Sequence, residues 1–356
     1  MRPKILQISV PRGGSNAVAR MMGQSPDVAA VLRSRLLEDG RDGLFRALRE
    51  VEREAPDRLP YVKEQAAFLP DHPDELFAPY DRFLVVVRDP VQQVASELLA
   101  VLGNRELLRD KLVERTGMPV GRRETARLLD RYAAAACLDF PIVRPGVRGC
   151  WQDVLAYLRR TRDFRPVHRL VGDLYDAQPG RRECASDTEW FNRAIFRVGV
   201  LCWLRTVELV RTLVEAGVPR LAIVDFGDLQ YRPGRIAEVC GRLAVRFDER
   251  MVTGPWHPPG RWFEAGLDRD EGHRWVGRAF TATRLYPSRP TPCDPRTLPP
   301  VAQEALASSM DSYRALLGHP ACLSPDDPIA SGGVAAADRA GAEGAAAVTG
   351  PGTVRR

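Results

Sequence analysis

Residues 83–96 read FLVVVRDPVQQVAS. The apolar run 83–87 predicts a strand covered on both faces, as in a parallel sheet with helices above and below it. Asp89 suits a helix N-cap and Pro90 the first helical position, so strand passes directly into helix. Val91, Val94, Ala95, Leu98 and Leu99 then form that helix's apolar stripe. The same order opens the chain. Residues 4–10 (KILQISV) predict a strand, PRGGSN a small-residue loop, and Ala17, Val18, Met21 and Met22 a helix stopped by Gly23 and Pro26. Leu44, Phe45, Leu48 and Val51 mark a second helix, residues 61–63 a short strand, and residues 221–224 (LAIV) another buried strand, followed by Asp225-Phe226-Gly227-Asp228-Leu229, Pro233 and a helix through Leu243. Residues 105–165 predict a helical insertion, residues 190–214 a long helix, and residues 300–317 a last helix. Alternating strands and helices of this kind predict an α/β fold, a three-layer open parallel sheet with helical insertions.

The chain's 356 residues are 44% hydrophobic and 28% charged, which excludes wholesale disorder. One α/β domain is expected over residues 1–325. Residues 326–356 are rich in Ala and Gly and lack aromatic residues, so a disordered tail is expected there. Basic residues number 52 against 46 acidic, a net charge of +6, with only Lys4, Lys63 and Lys111 as lysines and 49 arginines. The arginines alternate with acids, as in RDGLFRALREVERE, which predicts solvated helix faces and no nucleic-acid partner. No window has the length of a membrane span, and no targeting segment is expected. Seven cysteines, an odd number with no two closer than thirteen positions, argue against a disulfide framework. Neither they nor the five scattered histidines have metal-site spacing, so the expectation is a cytoplasmic protein without a metal.

Ligands of open parallel sheets bind beyond the carboxyl ends of the strands. Two segments stand there. In residues 11–16 the paired glycines let the backbone curl, the helix N-terminus adds partial positive charge, Ser15 and Asn16 add donors, and Arg12 adds a full charge. In the second segment Arg88 closes a strand and Ser96 follows eight residues later on the next helix. Each segment alone is as well explained by a linking turn or a surface arginine; the pair suggests a ligand with two anionic groups.

Together the segments resemble the sulfotransferases that use 3′-phosphoadenosine 5′-phosphosulfate. The resemblance maps Arg12, Gly13, Gly14, Ser15 and Asn16 onto the loop that binds the 5′-phosphosulfate. It maps Arg88 and Ser96 onto the arginine–serine pair, eight apart, that binds the 3′-phosphate. A third segment, IVDFGDLQYRPGRIAEVCGRLAVRFDERM, is similar to a later element of the family, with Phe226, Asp228, Leu229, Pro233, Leu243, Phe247 and Asp248 in place. PRGGSNAVARMM with YVKEQAAFL also resembles a bacterial sulfotransferase-like subgroup. The resemblance implies a P-loop nucleotide-binding type of sheet. It further implies transfer of a sulfuryl group from that co-substrate to a hydroxyl or amine of a small-molecule acceptor.

The departures are specific. Arg12 replaces a lysine, and a guanidinium cannot donate its proton near neutral pH. Asn16 replaces a threonine, and Ala17 stands where an aromatic often stacks on adenine. The family's late arginine-glycine element has only Arg261, Arg274 and Arg278 as candidates. The segment that supplies a histidine base in many relatives aligns with residues 63–70, which puts Gln65 at the histidine's place, Glu64 as the candidate base and Lys63 as an added cationic contact. The plain alternative for Lys63 and Glu64 is a solvated pair at a strand end. Trp151, Tyr157, Trp190, Trp203, Trp256 and Trp262 are candidate pocket walls, though such rings more often fill cores. The rival enzyme, a P-loop kinase, would need a loop lysine and magnesium ligands that the first loop lacks.

Overall fold

The computed structural model describes residues 3–31, 35–66, 77–175, 181–183, 197–256 and 291–323. The described residues form an α/β fold around a five-stranded sheet of β1 (Ile5–Ser9), β2 (Val28–Val31), β3 (Leu59–Gln65), β4 (Arg82–Val87) and β5 (Arg220–Asp225). The order is β2-β3-β1-β4-β5, and every pairing is parallel. The two apolar runs that predicted the fold are its central strand and that strand's neighbour, and both are buried throughout.

The described helices are α1 (Ser15–Met22), α2 (Arg35–Glu54), α3 (Pro90–Gly103), α4 (Arg105–Thr116), α5 (Arg122–Asp139), α6 (Trp151–Thr161), α7 (His168–Tyr175), α8 (Arg197–Glu215), α9 (Phe226–Tyr231), α10 (Ile236–Arg242), α11 (Arg250–Thr253) and α12 (Pro300–Leu317). Because side chains alternate along a strand, the sheet has two buried faces. Leu6, Ile8, Val62, Val85 and Ile223 face α2, α8 and the end of α12. Ile5, Tyr61, Leu84, Val86 and Val224 face α1, α10 and Met251. The helices expected as an insertion build a third apolar cluster on the far side of α3, where Trp151, Leu155 and Leu158 meet Leu98, Leu102, Leu129 and Leu306. Asp89 caps α3 by accepting from the Gln92 N–H at 2.9 Å, with Pro90 at the first position, as the sequence predicts.

Three expectations change. The short strand expected at 61–63 runs from Leu59 to Gln65, because β3 lies between two partners and is paired on both sides. The edge strand β2 was not anticipated. The helix expected after Pro233 is α10, reached through a 3-10 turn at Pro233–Arg235 and capped at Leu243, but the short helix α9 before Pro233 was not anticipated. The tail expected at 326–356 lies outside the described residues. Among the described residues, no helix is long and apolar enough to cross a membrane.

Candidate anion-binding site

The register sets Ser9 opposite Gln65 and Val86, and Val87 opposite Asp225, so the loops after β1, β3, β4 and β5 leave the sheet at one edge. The chain runs from β1 outward to β2, returns to β3, then crosses β1 to reach β4. This reversal makes the end of β1 the crevice where such sheets bind ligands. The loop there is tight. Arg12 takes φ 58 and Gly14 φ 84, both left-handed. The Gly13 N–H returns to Val10 O at 3.1 Å, and the Val18 N–H donates to Gly14 O at 3.2 Å. No side chain caps the N-terminus of α1 at Gly14, so its first N–H groups keep their donor capacity for a ligand or water.

Phe226 locks the three segments together. A Cβ on Gly14 would lie 2.1 Å from Phe226 Cγ, so the ring packs directly on the glycine backbone. The Arg88 guanidinium carbon lies 5.6 Å from the centre of the same ring, a cation–π contact. Arg88 Nη1 also donates to Arg12 O at 3.3 Å. The first loop, the end of β4 and the start of α9 thus meet around one aromatic ring.

Lys63 joins the loop as well, its Nζ donating to Asn16 Oδ1 at 2.6 Å. Gln7 Nε2 donates to Ser15 O at 3.1 Å, and the Tyr61 hydroxyl donates to Gln7 Oε1. Gln7, Tyr61 and Lys63 share the α1 face of the sheet. Glu64, one residue on, points to the opposite face, near Tyr80, and has no exposed surface. Lys63 is 6% exposed, so the two are not a solvated pair at a strand end. Ser96 is half-buried on α3, and no hydrogen bond joins it to Arg88 or Arg12. The structure therefore brings Arg12, Gly13, Gly14, Ser15, Asn16, Lys63 and Arg88 together and turns Glu64 to the opposite face of the sheet, while Ser96 stands on α3, the helix that follows Arg88.

Two residues enter the site that sequence reasoning missed. Glu97 of α3 is 9% exposed, and burial raises its carboxyl to about 7 against the opposing pull of Arg12. Its signal was present in the sequence: an acid one turn from Val94 and Val101, on a stripe otherwise apolar. Arg162, the C-cap of α6 at φ 55, is close enough to Arg88 for its charge to lower that residue's proton affinity. Burial lowers the proton affinities of Arg12, Arg88 and Arg162 alike. Nothing local distinguishes Arg162 among 49 arginines.

A cavity of about 580 Å³ adjoins the site, walled by Asp89, Gln92, Asp225, Gly227, Asp228 and Cys293 among others. Its acids already serve the fold. Asp225 accepts from the Asp228 N–H and the Tyr313 hydroxyl, and Asp228 pairs with Arg232 and Arg235. The rings offered as pocket walls are core instead: Trp151, Tyr157, Trp203 and Trp256 are 8% exposed or less, each packed in one of the three apolar clusters. Trp190 and Trp262, like Arg261, Arg274, Arg278 and residues 67–70, lie outside the described residues.

No protein-family model matches the chain, and none of the curated proteins matches it.

Proposed function

We propose that this chain is a sulfotransferase on a P-loop type of sheet. It moves a sulfuryl group from 3′-phosphoadenosine 5′-phosphosulfate to a hydroxyl or amine of a small acceptor. The observation that carries this reading is the contact of Gly14, Phe226 and Arg88. It brings together, around one ring, three segments that separately resemble the family's donor-binding elements. We assign the enzyme to the cytoplasm, on its odd and scattered cysteines.

In the transfer, the acceptor oxygen or nitrogen bonds to sulfur while the bond from sulfur to the bridging phosphate oxygen breaks. Charge builds on that leaving oxygen, so catalysis is chiefly positioning and electrostatic stabilisation. Arg12 and the free N–H groups of α1 suit the leaving phosphate, and Asn16, held by Lys63, orients the loop's other polar edge. The acceptor's proton needs a base. Glu64 has that place in the resemblance but no exposed surface. Glu97 sits beside Arg12 with a carboxyl poised near neutral pH, and suits the task better on physical grounds. The pH–rate profile separates them: Glu97→Gln removes the acidic limb near pH 7 while Glu64→Gln keeps it, whereas a profile left unchanged by Glu97→Gln and transfer lost in Glu64→Gln would make Glu64 the base.

The reading is tested by thermal stabilisation of the full chain. 3′-Phosphoadenosine 5′-phosphate should raise the midpoint, while ATP with magnesium and an oligonucleotide should not. At one hundred times Kd the ligand stabilises by about 2.7 kcal/mol. Arg88→Ala should abolish the shift. A shift with ATP–magnesium alone would move the protein to the phosphotransferases.

A further inference from the structure

Strand alternation at the end of β5 sends neighbouring side chains to opposite faces of the sheet. Ile223 lies in the apolar cluster under α2, α8 and α12, and Val224 in the one under α1 and α10. Asp225 takes the side of Ile223 and meets Tyr313 of α12, whose hydroxyl donates to Asp225 Oδ2 at 2.6 Å. Phe226 takes the side of Val224 and packs on Gly14 and under Arg88. The peptide between Asp225 and Phe226 is therefore held from both faces. Asp225 Oδ1 meanwhile accepts from the Asp228 N–H at 2.9 Å and caps α9. A helix of six residues is too short to be stable by itself, so α9 depends on that cap and on its buried Phe226 and Leu229.

The Tyr313 ring packs against the cluster under α8 and stands edge-on to Trp203, the two centroids 5.7 Å apart. A phenylalanine would make the same contacts, so packing does not account for the hydroxyl. Burial and the charge of Asp225 push the tyrosyl proton affinity well above its usual range, so the hydroxyl remains a donor at every working pH. Trp203 extends the brace. Its Nε1 donates to Gln93 Oε1 at 2.7 Å, one turn before Glu97 on α3. From the face of the sheet opposite the first loop, α12 and α8 thus steady both Phe226 and the stretch of α3 that carries Glu97.

We infer that Tyr313 is a positioning residue of the anion site, acting through Asp225 to fix Phe226 and, through that ring, Gly14 and Arg88. It touches no ligand itself. With the hydroxyl in place the carboxylate keeps one orientation, and the cap of α9 and the angle of the Phe226 ring follow from it. Without the Tyr313 donor, Asp225 is free to turn off the cap and into the cavity that it lines. The inference rests on the proposed function only for the identity of the anion used as a probe.

The test is hydrogen exchange of the full chain followed by mass spectrometry, wild type against Tyr313→Phe, with calorimetric titration of both by 3′-phosphoadenosine 5′-phosphate. Exchange should quicken by about 5- to 20-fold, the worth of a hydrogen bond to a charged group, in the peptides covering residues 226–231 and 11–18. In the second peptide the reporters are the Gly13 and Val18 amides, which the loop's own bonds protect. α5 and α6 belong to a separate apolar cluster and should exchange as in wild type. The bisphosphate should bind about 10-fold more weakly, by the same accounting. In an Asp225→Ala background, Tyr313→Phe should weaken it by less than about twofold more, because the residue it acts through is gone. Acceleration confined to α12 and the end of β5 overturns the inference. So does equal acceleration in every segment, which a loss of stability alone would give. Unchanged affinity in Tyr313→Phe, or full additivity with Asp225→Ala, overturns it too. If wild type does not bind the bisphosphate, the donor reading falls, and the exchange pattern still decides the role of Tyr313.

Discussion

Replacing Gly14 by alanine is expected to destabilise the protein by about 2–5 kcal/mol and to abolish nucleotide-induced stabilisation. Two costs add. The residue sits at φ 84, where an L side chain costs about 1–2 kcal/mol. The new Cβ would also overlap the Phe226 ring, which is 8% exposed and cannot swing into solvent without leaving the core. Overpacking of this kind costs roughly 1–3 kcal/mol. The two terms separate in a double-mutant cycle followed by urea unfolding. Phe226→Ala alone should cost about 3 kcal/mol as a core truncation. In the double variant the ring is gone and the clash with it, so the combined loss should fall short of the sum by at least about 1 kcal/mol. Strict additivity would mean that ring and glycine are not in contact, and the link between the first loop and Arg88 would go with it.

That contact also shows what a sequence conceals. The strand runs at 4–10 and 83–87 and the capped start of α3 are legible because they depend on neighbours along the chain. β2 was not, since VAAV is four residues long and Pro60 masks the start of the strand it pairs with. The loop and Arg88 were legible as contacts to two anionic groups of one ligand. What joins them was not, because the Phe226 ring that packs on Gly14 and under Arg88 lies more than 130 positions from Arg88. Lys63 and Glu64 show the opposite limit. They are adjacent in sequence and were assigned to one site as base and cationic contact, but strand alternation sends them to opposite faces, and it is Lys63 that bonds the loop.

Stability should fall as pH rises from about 4.5 to 7, and Glu97 should account for much of the fall. The folded protein holds its carboxyl proton up to about pH 7, whereas the unfolded chain releases it near 4.5. Between those values the native state binds more protons than the unfolded state, so raising the pH favours unfolding. Below 4.5 the group contributes nothing, and above 7 the full loss of about 3 kcal/mol is present. Asp225, whose carboxyl burial also raises, acts in the same direction. Comparison with Glu97→Gln isolates Glu97, because the other groups titrate alike in both proteins. The amide is neutral at every pH and nearly isosteric. Its difference from wild type in urea unfolding should therefore shift by about 3 kcal/mol in the variant's favour from pH 4.5 to 8. A constant difference across that range would show that Glu97 ionises as an ordinary carboxylate. Its claim to the proton of the acceptor, which rests on a carboxyl poised near neutral pH, would then fall.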